Sequence, residues 1–330
     1  MENKLLLEEF NPLLSSYWFW ADQLLIIRGM KNNDHWLCNN FINLRCLINS
    51  PHSIYFYNED YRNKMVEYYN CPFIDFQKIN FESKKKVYGM DIIPFIKQSI
   101  ENKTYVLIMI ERLYISSYNF KKSNFHQILI HGYDDQLKEF YFSDNIRSGK
   151  FQSNLSASYE EIYKAINGFT SFESEPDFNT GFFLLEPKEN DDYKLDLMKI
   201  KRSINHYLDP HLYSDENWAY GVDVYKYLIH SLSCSLSSQK FDKDIKGISA
   251  LYDHKKAMLY RIDKLANEKI LDPQYVYQFR EIESKCRMLL MLYLKFTNTE
   301  DLVILDRCYS YVQNIQEEEI PILNNIVGAL

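Results

Sequence analysis

The sequence predicts an α+β protein, with its strands in the first half and a helical second half. Three observations carry this. Between residues 105 and 142, short β-branched and aliphatic runs alternate with turn residues. After Tyr193 the strand signals fade, and five segments with helix-like spacing of apolar residues follow. The content of 46% hydrophobic and 25% charged residues is that of a soluble globular protein, and 330 residues suffice for two domains.

Each element has its own reason. Residues 18–30 (WFWADQLLIIRGM) read as a helix too apolar for the surface, and residues 39–48 as a second helix. Residues 91–100 (DIIPFIKQSI) form a helix feeding residues 105–110 (YVLIMI), the most apolar strand of the chain. A hairpin follows in FHQILIHGYDDQLKEFYFSD. Ile128 to Ile130 are its first strand, Gly132-Tyr133-Asp134-Asp135 its turn, and Phe140 to Phe142 its second strand, closing at Ser143-Asp144. This shape brings His126 to Asp144 although 18 positions separate them. An aspartate so placed orients an imidazole and stabilises its charged form, the role of the third member of a nucleophilic triad. His131, five positions along an alternating strand, faces the other side, and Asp134 and Asp135 are turn residues. Ser158 with Glu161 three residues on is the capping-box pattern of a short helix to Ile166. Residues 182–185 form a last strand. Pro187 and the polar run 188–192 then mark a boundary, giving domains 1–187 and 188–330. The second domain holds helices over residues 196–207, 221–235, 245–266, 273–296 and 299–319, an all-α region.

Composition excludes several functions. A net charge of −7 and a pI near 5.7 argue against a nucleic-acid binder. Lys84-Lys85-Lys86 reads as a solvated loop. Six cysteines, at 38, 46, 71, 234, 286 and 308, show no CxxC spacing, which points to reduced thiols in a cytoplasm, with no disulfide framework and no metal site. The start, MENKLLLEEF, is too short an apolar run for a signal peptide, and no stretch approaches a membrane span. No cofactor is expected.

The order of an apolar strand, a loop, His126, Gly132-Tyr133-Asp134 and a strand ending in Asp144 resembles the papain-fold domain of bacteriocin-processing double-glycine peptidases. It is most similar to the butirosin biosynthesis H-type N-terminal domain. The helix from Ser158 and the Tyr220-Gly221 pair opening a later helix belong to the same likeness, which covers roughly residues 10 to 186 and extends to the helical tail. The resemblance implies a papain-like cysteine-protease fold with an antiparallel sheet and a central helix. It also implies an acyltransferase, as in butirosin or closthioamide assembly. Such an enzyme moves an acyl group from a carrier-protein phosphopantetheine thioester to a small amine acceptor through a Cys-His-Asp triad. Thiolate attack gives an acyl-enzyme that the amine resolves.

The family's nucleophilic cysteine stands at the start of the first long helix, where the helix dipole lowers its pKa. Ser16 stands there in this sequence, with Ser15 beside it. Ser16 reads either as a helix cap or as the nucleophile position. As the latter it is compatible with a natural serine, with an inactive relative and with a replaced cysteine. Cys38, which precedes the expected 39–48 helix and follows His35 by three residues, is the alternative nucleophile. Asn11 is the weak choice for an oxyanion donor. Two other functions remain open: a silent module that binds an acyl carrier or a peptide, and a cysteine-type peptidase. The peptidase ranks lower because the sequence carries no transporter segment.

Overall fold

The computed structural model describes residues 2–4, 10–57, 71–79, 91–146, 151–168, 182–210 and 216–330; the Lys84-Lys85-Lys86 run lies outside them. The chain is α+β, with antiparallel sheets and several C-terminal helices. It divides into two compact units. One comprises Met1–Pro12, Trp18–Met30 and Glu67–Asn190, and the other Leu13–Tyr17, Lys31–Val66 and Asp191–Leu330.

The first unit is built on strands β1 (Glu2–Lys4), β4 (Ile74–Ile79), β5 (Tyr105–Glu111), β6 (Phe125–Asp134), β7 (Glu139–Asn145), β8 (Phe151–Ser158) and β9 (Phe182–Pro187). The order is β4-β9-β5-β6-β7-β8 with β1 on β6, all pairs antiparallel. Its core gathers Ile96, Val106, Ile108, Ile130, Phe142 and Ile162, from the sheet and from the helices Ile92–Glu101 and Tyr159–Asn167. The helix from Tyr159 has its predicted N-cap, and the helix from Ile92 has one as well. Asp91 accepts from the Ile92 amide, and Ser158 with Glu161 closes a full capping box. Helix α1, Trp18–Ile26, is buried at Phe19 and throughout the residues after it, as its composition demands. The hairpin turn falls later than expected. Strand β6 runs through Asp134, and the chain reverses at residues 135–138, where Lys138 takes φ 60°.

The second unit carries a three-stranded sheet ordered β10 (Trp218–Tyr220), β2 (Asn43–Leu47), β3 (Ser50–Tyr57), so its helices are not alone. Residues 39–48 are therefore not a helix. Helix α2 spans Asn33–Asn39, Phe41 takes φ 55°, and Leu44 and Cys46 then alternate into the core with Ile54 and Phe56. The five C-terminal helices are Leu197–Leu208, Asp223–Ser238, Lys246–Asn267, Gln274–Thr299 and Leu302–Ala329, each within a few residues of its expected start. No helix among the described residues is long and apolar enough to cross a membrane.

Candidate functional site

His126, second in β6, meets Asp144 near the end of β7. The register is responsible. Leu129 pairs with Ser143, so Asp144 sits diagonally across from His126, within reach of a ring. A register irregularity between Phe142 and Asp144 on the β8 side marks the same spot, and such irregularities re-aim side chains. Nδ1 of His126 is 2.8 Å from Asp144 Oδ1 and 2.9 Å from the Gln127 carbonyl oxygen. The Asp144 side chain is fully buried, while that of His126 is 24% exposed. Both contacts fall on Nδ1, so the proton-accepting nitrogen is Nε2. That is the tautomer a general base of this type uses.

Asp144 has two further partners that the sequence did not announce. Arg112 Nη2 donates to its Oδ1 and the Tyr118 hydroxyl to its Oδ2. Burial, followed by the Asp144 charge, pushes the Tyr118 phenol well up, so it stays a donor. Arg112 also donates to the Asn145 carbonyl at 2.8 Å and to Asn124 Oδ1 at 3.3 Å. Glu111, buried, accepts from the Asn124 amide at 2.7 Å, from the Leu113 amide at 3.3 Å and from the Ser123 hydroxyl. The loop between β5 and β6 is thus pinned at both ends around the carboxylate. The available signal was the charged pair Glu111-Arg112 directly after the most apolar strand, since charges there are buried only when partnered.

Helix α1 belongs to this arrangement. The Trp18 ring stands edge-on to the His126 ring, with centroids 5.9 Å apart and planes at 74°. One turn on, buried Asp22 accepts from the Ser143 hydroxyl at 2.5 Å, next to Asp144 in the chain. The helix start meets the imidazole, and the residue one turn on is fastened to the acid-bearing strand.

Ser16, two residues before that helix, belongs to the second unit and is buried. Its hydroxyl makes no hydrogen bond among the described residues, so it is not acting as a cap. Instead, the amides of Ser15 and Ser16 both donate to Asp253 Oδ2 at 2.7 Å, and Lys256 holds Asp253 Oδ1 at 2.8 Å.

Cys38 does not precede a helix; it lies near the end of α2 and is fully buried. Burial, opposed by nearby Arg261, pushes its thiol up to about 11. A buried, protonated thiol at a helix C-terminus lacks the features of an activated nucleophile. Asn11 is exposed in coil. His131 is buried with Nε2 2.9 Å from the Ser153 carbonyl oxygen. Asp134 accepts from the Gln136 and Leu137 amides as a turn residue, and Asp135 pairs with Lys97. All six cysteines are free thiols. Among the described residues no His, Cys, Asp and Glu cluster could hold a metal. No protein-family model matches the chain, and no curated protein matches it.

Proposed function

We propose that the protein is an acyltransferase of papain-like architecture, working in the cytoplasm on natural-product intermediates. It moves an acyl group from a carrier-protein thioester to an amine, with His126 as general base, Asp144 orienting it and Ser16 at the nucleophile position. The observation that carries this reading is the Asp144–His126 contact on Nδ1, in a ring left partly open to solvent. A histidine built only for packing has no need of a buried carboxylate that is itself held by an arginine and a tyrosine. The edge contact of Trp18 supports it too, because it brings the helix that follows Ser16 against the same ring. In the reaction Nε2 takes the nucleophile's proton as its oxygen or sulfur attacks the thioester carbonyl, and returns that proton to the carrier sulfur, which leaves as a thiol. Nε2 then accepts a proton from the amine as the amine attacks the acyl-enzyme carbonyl, and gives it to the enzyme oxygen or sulfur as that group is displaced.

A second reading, a silent module that binds an acyl carrier, is favoured by one observation. The Ser16 amide, which would help stabilise an oxyanion, is already bonded to a carboxylate. Turnover with an acyl thioester and a primary amine separates the two. Amide product that disappears in His126→Ala, at unchanged circular dichroism, supports the transferase. Absence of product at every thioester length favours the binding module, and full activity in His126→Ala removes His126 from the mechanism.

A further inference from the structure

The second unit contains a buried cation that pairs with no carboxylate among the described residues. Arg45, on β2, pairs across the ladders with Tyr55 of β3 and Tyr220 of β10. It is only 7% exposed. Its guanidinium lies 4.2 Å from the Trp218 ring centroid and 5.8 Å from that of Tyr57. Its Nε has no hydrogen-bond partner, and no carboxylate pairs with it among the described residues. The other two buried arginines among the described residues are used differently. Arg112 is neutralised by Asp144, and Arg261 donates to the carbonyl oxygens of Cys38 and Asn40. Burying a charge without a partner is unfavourable, and ring faces offset only part of that. A guanidinium is planar, and its fork of N–H donors matches the oxygens of a phosphate.

The rings around Arg45 continue toward the chain that carries Ser16. Trp218 stands 6.3 Å from Tyr55, and Tyr55 stands 5.0 Å from Tyr17, the residue after Ser16. An aromatic wall therefore runs within this unit from the candidate nucleophile's neighbour to Arg45.

We propose that Arg45, flanked by Trp218 and Tyr57, is a phosphate site that receives the phosphate of the thioester-bearing arm. The choice of ligand rests on the transferase reading, because a phosphopantetheine arm presents a long, amide-bearing chain with a phosphate at one end and the thioester at the other. The test is calorimetric titration of the full chain with 4′-phosphopantetheine, with pantetheine and with inorganic phosphate. The phosphorylated arm should bind roughly tenfold or more tightly than pantetheine, as a charged hydrogen-bonding partner warrants. Arg45→Gln should erase that preference, and Arg45→Lys should keep part of it. Inorganic phosphate that binds the wild type but not Arg45→Gln also supports the site, with free phosphate as a sufficient ligand. No preference in the wild type, or one that survives Arg45→Gln, overturns it. Should Arg45→Gln fail to fold, Trp218→Leu serves, and an unchanged preference there overturns the proposal equally. Acyl transfer with an unaltered KM in Arg45→Gln discards the site and leaves the transferase. A phosphate preference without any transfer discards the transferase and leaves the site.

Discussion

Asp144 serves an imidazole and a guanidinium, and this decides what its substitution should do. It orients His126, and its buried charge is also matched by Arg112. Asp144→Asn keeps the shape but weakens the imidazolium that forms during turnover. Activity should fall by about 10²–10⁴-fold, less completely than in His126→Ala, as steady-state kinetics would show. Equal loss in both variants would mean that Asp144 does more than orient the ring. Asp253 is the opposite case. Its carboxylate accepts the Ser15 and Ser16 amides, so under the proposed role of Ser16 a negative charge occupies the amide that would stabilise an oxyanion. In a Ser16→Cys background, Asp253→Asn should speed acylation by about tenfold or more in a stopped-flow thioester assay; slower acylation would make Asp253 a support and not a brake. His126 and Asp144 were legible because one hairpin joins them. Arg112, Tyr118 and Asp253 were not, since nothing in a linear pattern tells which distant carboxylate a given amide or guanidinium will meet.

Among the elements, legibility followed local signals. Ser158 and Glu161 announced their helix, and the capping box is present with both reciprocal bonds. Removing the cap in Ser158→Ala should lower stability by about 1 kcal/mol, read as a fall in Tm. Glu161 adds a pH dependence. Its partial burial acts to raise the pKa, but bonds from Ser116 and Ser158 outweigh this and bring the carboxyl from 4.5 down to about 2. A depressed carboxyl stabilises the fold above its unfolded value, and that contribution is lost as pH falls from about 4.5 to about 2. The Tm gap between wild type and Glu161→Gln should therefore close across that window; a constant gap would assign the stabilisation to shape alone. Residues 39–48 misled because NNFINLRCLI satisfies a helical spacing as well as an alternating one. What decides it is long-range pairing, β2 finding β10 more than 170 residues later.

At the scale of the whole molecule, a second buried charge cluster sits in the helical unit, away from any role in the chemistry above. Lys255 Nζ is 2.6 Å from Glu319 Oε1 and 2.9 Å from His254 Nδ1, while Tyr225 donates to Glu319 Oε2 at 2.6 Å. Burial lowers the Lys255 pKa and the Glu319 charge opposes that. Glu319→Leu should cost about 3–5 kcal/mol by leaving the ammonium unpaired, whereas Lys255→Met with Glu319→Leu should come close to wild type in urea denaturation. If the single and double variants lose stability equally, packing and not charge holds that core. The five helices around it were readable from apolar spacing, but their sharing of a unit with residues 31–66 was not, because contact between distant segments leaves no local period. As proposed, Ser16 stands at the nucleophile position with His126 as its base, and the intact mass of the protein after incubation with an acyl thioester tests this most directly. Ser16→Cys should gain the mass of one acyl group, and Ser16→Cys with His126→Ala should gain none. An unmodified Ser16→Cys protein, or an acyl group mapped by peptide digestion to Cys38, would contradict it.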